Sequence, residues 1–305
     1  MRGETWEALL KEGQEILEAA GIEEAGLDAW LLLEYESGKN RAYYFAHSKE
    51  EAEEGIKAPY MEKIRKRSQH IPLQHLTHQG HFMGYEFYVD ETVLVPRQDT
   101  EILVEEALSL IKNTESPQIL DMCTGSGCIL LSLLLEREDA KGTGADLSEK
   151  ALSVAEKNRE TYRLETRAEL IKSDLFQNAY FEAKKESFDI IVSNPPYIPT
   201  EEIEKLQAEV RFHDPFMALD GKEDGLYFYR KIVENAGNYL KPGGFLVCEI
   251  GCSQGEDVKE MFESCGFLDV KVIKDLAGLD RVVRENCPDI VKIYKHRENR
   301  EENHV

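Results

Sequence analysis

The chain has 305 residues, of which 42% are hydrophobic, which suits one large folded domain or two smaller ones. Its 37 lysines and arginines are outnumbered by 59 aspartates and glutamates, so the net charge is −22. Because nucleic-acid affinity rests mainly on basic side chains that neutralise phosphates, this charge argues against a direct nucleic-acid substrate. Taken alone, the acidity fits a role in solubility equally well.

The residue pattern indicates neither a metal site nor a membrane segment. No C-x-x-C pair occurs among the six cysteines, and the eight histidines lack metal-binding spacing. The N-terminal segment is too charged for a signal peptide, and no run approaches the ~20 apolar residues of a membrane span. We therefore expect a soluble, cytoplasmic protein without metal.

The first seventy or so residues carry helical patterns. Apolar residues from Trp6 to Leu17 recur at helical spacing. Ser48 and Glu51 have the spacing of a capping box before a further polar helix, which Pro59 interrupts or restarts. These patterns predict a small helical bundle.

From about His78 to Val95 the pattern changes to alternation, which predicts a β-hairpin between two domains. From Pro117 onward strand and helix patterns alternate, which indicates a mainly parallel sheet covered on both faces. The predicted strands are QILDMC, KGTGADL, AELIKSDL, FDIIVSN, GFLVCEIG, VKVIKDL and IVKIYK. The polar tail after Lys295 is expected to be disordered.

The segment ILDMCTGSGCIL places Gly125 and Gly127 directly after the first strand of this sheet. Asp146 ends the next strand, where a carboxylate can accept hydrogen bonds from ribose hydroxyls. Leu130 stands where a dinucleotide fingerprint has its third glycine, so a cofactor without phosphates, such as S-adenosylmethionine, fits better. Asp174 ends the third strand and is interpreted as an adenine contact, with a helix cap as the alternative.

Asn194, Pro195, Pro196 and Tyr197 follow the fourth predicted strand. Proline fixes φ and removes a donor, so this turn presents acceptors, the Asn194 side-chain oxygen and the Pro195 carbonyl. Two acceptors beside the Tyr197 ring suit a planar NH2 group, whose delocalised lone pair is a poor nucleophile. Fixing this nitrogen poises it for methyl transfer, since ideal alignment supplies up to ~7–11 kcal/mol. An ordinary strand-ending turn is the alternative.

Together these residues resemble class I S-adenosylmethionine-dependent methyltransferases with the N-P-P-Y signature. From about Leu31 to Tyr294 the chain resembles one family among them, the release factor glutamine methyltransferases (PrmC/HemK). The segments VLVPRQDTEILVE, DPFMALDGKEDGLYFYRKI, LKPGGFLVCEIG and DLAGLDRVV carry this likeness. It implies an α/β fold with a seven-stranded, mostly parallel Rossmann-like methyltransferase sheet, preceded by a small all-α N-terminal domain and a β-hairpin linker.

The resemblance also implies the reaction and the domain layout. The methyl acceptor would be the side-chain amide nitrogen of the glutamine in the Gly-Gly-Gln motif of bacterial class I release factors, in support of translation termination. The implied layout is a helical substrate-recognition domain at 1–76, a hairpin linker at 77–98, the methyltransferase domain at 99–295 and the tail at 296–305.

Site residues are expected as follows. Cofactor contacts are expected from Cys123, Thr124, Gly125, Ser126, Gly127, Asp146, Asp174, Leu175 and Asn194. Catalysis is expected from Asn194, Pro195 and Tyr197, and substrate binding from these three with Pro196. Cys123 departs from the glycine of many relatives, and Leu175 from the aromatic residue of some, for which Phe176 is the candidate replacement.

Several assignments stay open in the sequence. Arg97 fits a cofactor or substrate contact as well as a salt bridge, and Glu249 fits a satisfied strand-end carboxylate better than a pocket residue. No role is assigned to Asp214. The basic cluster KIRKRSQH is best read as a solvated helix face. Alternative substrates are a nucleobase amine and a ribosomal-protein glutamine, and a non-catalytic cofactor-sensing protein is the alternative of another class.

Overall fold

The computed structural model describes residues 4–286. These residues form two compact units, one from residues 4–79 with 206–213, and the other from residues 80–205 with 214–286. The predicted strand at 290–295 and the predicted tail at 296–305 lie outside the described residues.

Thirteen α-helices lie within residues 4–286. Their bounds are α1 Trp6–Ala19, α2 Ala25–Ser37, α3 Arg41–His47, α4 Lys57–Arg67, α5 Leu73–Thr77, α6 Glu101–Leu110, α7 Cys128–Glu136, α8 Glu149–Thr161, α9 Thr200–Ile203, α10 Ala208–His213, α11 Phe216–Leu219, α12 Tyr227–Ala236 and α13 Gly255–Ser264. Short 3-10 turns span Gln98–Thr100 and Ala179–Ala183.

The first unit is a helical bundle, as the sequence predicts. Apolar side chains of α1, α2 and α4 form its core, where Tyr60 is fully buried. Arg67 at the end of α4 is also buried, and it pairs with Asp28 at 2.7 Å and with Glu209 of α10 at 2.8 Å. The interpretation of the basic cluster as a solvated face is therefore wrong for Arg67, which is an internal structural residue.

The capping-box prediction at Ser48 is wrong. Ser48 is the C-terminal cap of α3, and the next helix begins at Lys57 with Pro59 in its first turn. The N–H groups of a first turn have no partner within the helix, so a proline is tolerated there.

The second unit contains a hairpin and a seven-stranded sheet. The hairpin strands are β1 Gly80–Phe82 and β2 Tyr85–Phe87, and the sheet strands are β3 Gln118–Met122, β4 Lys141–Asp146, β5 Ala168–Lys172, β6 Phe188–Ser193, β7 Leu240–Glu249, β8 Leu268–Lys274 and β9 Asp280–Asn286. The hairpin is shorter than the alternating pattern that predicts it.

The sheet order is β5-β4-β3-β6-β7-β9-β8, with β9 antiparallel to both of its neighbours and the other pairs parallel. This confirms the predicted seven-stranded, mostly parallel Rossmann-like sheet. Separate apolar clusters cover its two faces. Strand order reverses at β3, because β4 lies on one side of it and β6 on the other.

Candidate active site

A cavity of about 380 Å³ lies at the carboxyl ends of the parallel strands around this reversal. Open α/β sheets bind ligands at such points, and small-molecule sites typically enclose ~300–1,000 Å³. The predicted site residues that line it are Cys123, Thr124, Gly125, Ser126, Asp146, Asp174, Leu175, Asn194 and Pro196. The predicted site residues outside its lining are Gly127, Pro195 and Tyr197.

The loop between β3 and α7 shapes the cavity floor. Its backbone is left-handed at Cys123 (φ 64°), Gly125 (φ 55°) and Gly127 (φ 80°). A Cβ on Gly125 would meet no atom within 4 Å, whereas one on Gly127 would lie 3.2 Å from Ala155. Gly125 thus leaves the cavity open, and Gly127 permits close packing at the start of α7. Cys123 holds a conformation that glycine adopts without strain.

Asp121 supports this loop, although the sequence analysis did not single it out. Its side chain is fully buried, and its Oδ2 accepts hydrogen bonds from the Thr124 hydroxyl at 2.5 Å and the Leu130 N–H at 3.3 Å. Its Oδ1 is buried without a hydrogen-bond partner. Burial raises the pKa of Asp121 to about 7. An aspartate flanked by apolar residues in a predicted buried strand was the signal that could have revealed it.

Asp146 occupies the end of β4 and faces the cavity. Its Oδ2 accepts the Gly125 N–H at 2.9 Å, and its Oδ1 accepts the Ser148 N–H at 2.8 Å. Burial raises the pKa of this carboxyl, and the backbone N–H donors partly offset that effect. The two bonds fix the carboxylate while leaving acceptor lone pairs free for a ligand.

Asp174 and Leu175 also line the cavity, with Leu175 in a left-handed conformation (φ 49°) and 9% exposed. Phe176 is absent from the lining. Its ring stacks on Tyr239 with 4.6 Å between the centroids, and it packs against the sheet core. Phe176 therefore does not take the place of the aromatic residue that some relatives carry, and Leu175 is the apolar residue that lines the cavity at this point.

The Asn-Pro-Pro-Tyr turn follows β6 directly, and Asn194 and Pro196 reach the cavity wall. Behind the turn, the Tyr197 carbonyl accepts a hydrogen bond from Gln254 Nε2 at 3.0 Å. A Cβ on Gly225 would lie 2.4 Å from that same carbonyl oxygen. Gly225 and Gln254 thus contact the Asn-Pro-Pro-Tyr turn at the Tyr197 carbonyl and fix its position. Burial raises the pKa of the half-buried Tyr197 to about 12, so its phenol is neutral at physiological pH.

Arg97 lines the cavity and pairs with Asp214 at 2.9 Å. The Asp214 side chain is wholly buried, whereas that of Arg97 is 41% exposed. The buried Asp214 carboxylate therefore fixes the position of the Arg97 guanidinium. Arg97 forms the salt bridge that the sequence allowed, and it also lines the cavity. Residues 91–96 form another part of the wall, where the alternating pattern had predicted more hairpin.

Family models match both parts of the chain. The model of the PrmC N-terminal domain matches residues 8–77, and the model of the methyltransferase small domain matches residues 98–212. A release factor glutamine methyltransferase of Clostridium acetobutylicum is 39% identical over 84% of this chain and 89% of its own length. This chain belongs to the release factor glutamine methyltransferase family. The Caulobacter vibrioides member is also 39% identical, over 88% of this chain and 91% of its own.

Solved structures agree on the fold of this family member. The hMettl16 catalytic domain, solved in complex with MAT2A 3′UTR hairpin 6, aligns with a TM-score of 0.56 at 15% identity, over 76% of this chain and 83% of its own. At that identity the likeness concerns the fold alone. Within residues 4–286 no helix is long and apolar enough to cross a membrane, and no group of three or more acidic, histidine or cysteine side chains could hold a metal ion.

Proposed function

We propose that this methyltransferase transfers a methyl group from S-adenosylmethionine to the side-chain amide nitrogen of the glutamine in the Gly-Gly-Gln motif of class I release factors. The observation that carries the proposal is that Asn194 shares a cavity wall with Asp146 and the glycine loop. An acceptor for an NH2 group and an acceptor for a ribose thus face one space. The relatives' name supplies the protein substrate.

The cavity residues fit S-adenosylmethionine. The Asp146 carboxylate would accept from the ribose hydroxyls, and Asp174 and Leu175 would flank the adenine. Gly125 adds no side-chain atoms to the cavity floor. Arg97 offers a cation for the carboxylate of the amino-acid end. When bound, the cofactor supplies a methyl group on a positively charged sulfur.

Asn194 and Pro195 orient the substrate nitrogen. The Asn194 oxygen and the Pro195 carbonyl would each accept one hydrogen of the glutamine NH2 group, which fixes the lone pair in direction. Pro195 and Pro196 cannot offer competing N–H donors at this point. The Tyr197 ring would stack on the amide plane, a role that rests on the motif, since Tyr197 is outside the cavity lining. No strong base is needed because the proton leaves after transfer.

The helical unit that matches the PrmC N-terminal domain is proposed to hold the release factor. In this layout residues 1–76 recognise the substrate, 77–98 link the domains and 99–295 carry out the transfer. The enzyme would act in the cytoplasm.

The test uses purified full-length enzyme and labelled S-adenosylmethionine. The candidate substrates are a class I release factor, its Gly-Gly-Ala variant, and a DNA and RNA mixture. We expect label on the Gly-Gly-Gln protein alone. Label on nucleic acid, or on the Gly-Gly-Ala variant to the same extent, would refute the assigned substrate.

A further inference from the structure

Glu249 is the last residue of β7 and lies next to Asn194 across the sheet. Ser193 of β6 pairs with Cys248 of β7, so the residues that follow each, Asn194 and Glu249, stand side by side. Paired residues of neighbouring strands project toward the same face of a sheet. The Glu249 carboxylate is therefore a neighbour of the Asn194 side-chain amide, although Glu249 is absent from the cavity lining.

The Glu249 side chain is buried, and its carboxylate lacks a full set of hydrogen-bond partners. The residue is 3% exposed, and its Oε2 atom has no hydrogen-bond partner. Burial raises the pKa of this carboxyl to about 7, and hydrogen bonds from Thr100 and Asn194 partly offset the rise. A buried acid without a full set of partners is costly, and such groups concentrate at functional sites. The prediction of a satisfied strand-end carboxylate is wrong.

Thr100 connects the two side chains. This residue is 3% exposed, and its Oγ1 accepts a long hydrogen bond of 3.4 Å from Asn194 Nδ2. A hydroxyl has one proton to donate, and because Thr100 Oγ1 accepts from Asn194, that proton is available to the Glu249 carboxylate, whose pKa Thr100 lowers. Both neighbours of the amide on this side therefore act as acceptors toward Asn194.

An asparagine amide keeps almost the same shape when it turns by half a revolution, so its neighbours decide which end faces a ligand. We propose that Glu249, with Thr100, is the positioning residue that takes up the NH2 end of Asn194 and thereby presents its oxygen to the substrate amide. An ionised carboxylate accepts hydrogen bonds and cannot donate them, so it selects this orientation. A protonated Glu249 carboxyl can instead donate a hydrogen bond to the Asn194 oxygen. It therefore permits the opposite orientation of Asn194, in which the NH2 group of Asn194 faces the NH2 group of the substrate. This inference rests on the proposed function of Asn194.

Asp121, which also has a pKa of about 7, is tested separately below, and the other groups around Glu249 do not share this titration. Arg281 of β9 pairs with Asp99 at 3.1 Å and with Asp275 at 2.9 Å, and its pKa lies above the ordinary arginine value. Burial raises the pKa values of Tyr197 and Cys128 to about 12, and it raises that of Tyr229 well above its ordinary value. Near pH 7 the tyrosines and Cys128 are neutral and Arg281 is charged, so their charges stay constant as Glu249 ionises.

The test is the pH profile of kcat for the wild-type enzyme and Glu249→Gln at saturating cofactor and release factor. We expect wild-type kcat to fall as the pH drops through about 7, where Glu249 becomes protonated. For Glu249→Gln we expect kcat at pH 8 to be roughly 10- to 100-fold lower than that of the wild type, because the variant loses one charge-assisted hydrogen bond. The pH profile of Glu249→Gln should lack the acid limb, that is, the fall of kcat below about pH 7. The affinity of the variant for the cofactor, measured by calorimetry, should be unchanged, and this result would also show that the site is folded.

Asp121→Asn is the matched control, because it makes the same chemical change in another buried acid with a pKa of about 7. We expect it to keep the acid limb at saturating cofactor. Thr100→Val should lower kcat in the same direction as Glu249→Gln, whereas Thr100→Ser, which keeps the hydroxyl, should restore it.

An acid limb that persists in Glu249→Gln, or disappears in Asp121→Asn alone, overturns the positioning role. So does wild-type kcat in Glu249→Gln at pH 8. Absence of methyl transfer by the wild-type enzyme refutes the proposed function instead, and the inference with it, so the two failures are distinguishable.

Discussion

Gly225 touches the turn that carries Asn194, and its replacement by alanine should disturb methyl transfer without touching the cavity. The new Cβ would lie 2.4 Å from the Tyr197 carbonyl oxygen and 2.8 Å from Gln254 Nε2. Ordinary contacts begin near 3.4 Å, so the carbonyl must move by about 1 Å. A misplacement of this size costs up to ~10²-fold in rate. We expect kcat to fall by roughly 10- to 100-fold.

Gly243→Ala is the matched control, since both glycines have nearly the same positive φ. Gly225 has φ 74° and Gly243 has φ 75°, but a Cβ on Gly243 would meet no atom within 4 Å. Alanine in this region costs about 1–2 kcal/mol at either position, and overpacking adds about 1–3 kcal/mol at Gly225. Thermal unfolding should therefore rank the stabilities as wild type, Gly243→Ala and Gly225→Ala.

The assay measures kcat with labelled cofactor on a release factor, below the unfolding temperature of each variant. We expect Gly243→Ala to retain wild-type kcat. Equal kcat for the two variants would contradict this prediction, because the close approach to Tyr197 would then have no bearing on the position of the motif.

The remaining predictions concern affinity and stability. Asp146→Ala should weaken S-adenosylmethionine binding by about 10-fold or more, since it removes acceptors for two hydroxyls, and unchanged affinity by calorimetry would remove Asp146 from the site. Burial raises the pKa of Glu249 from its ordinary 4.5 to about 7, so its contribution to stability is complete below pH 4.5 and is lost as the pH rises through 7. The loss is about 3 kcal/mol. Because glutamine does not ionise, the free energy of unfolding, measured by chemical denaturation, should decline less from pH 5 to 8 for Glu249→Gln than for the wild type. Equal declines would contradict the buried state of Glu249.

The sheet could be predicted from the sequence because its central strands are mostly buried, and each ends at, or within three residues before, a glycine, an aspartate or a proline. β9 was harder to recognise. Its segment, DRVVREN, has charged residues around Val282 and Val283, and no local pattern shows that Arg281 and Arg284 find partners in Asp275 and Glu106. The strand patterns therefore favoured 290–295, which lies outside the described residues.

The candidate site could be located from motifs, since loops at the ends of parallel strands meet at one edge of the sheet. What the sequence could not reveal was which polar atoms are left without partners. Asp121 and Glu249 each have an oxygen that is buried and unbonded, a fact that depends on side-chain packing across strands. The burial of Arg67 likewise depends on α10, which is distant in sequence and joins the first unit through segment 206–213.

The most direct test of the role of Asn194 separates cofactor binding from methyl transfer in Asn194→Ala. Calorimetry with S-adenosylmethionine and single-turnover transfer to a release factor are measured on the same preparation, beside the wild-type enzyme. We expect affinity to change little and transfer to be abolished, because Asn194 orients the NH2 group of the substrate. Transfer at the wild-type rate, or loss of cofactor binding together with transfer, would contradict the role given to Asn194.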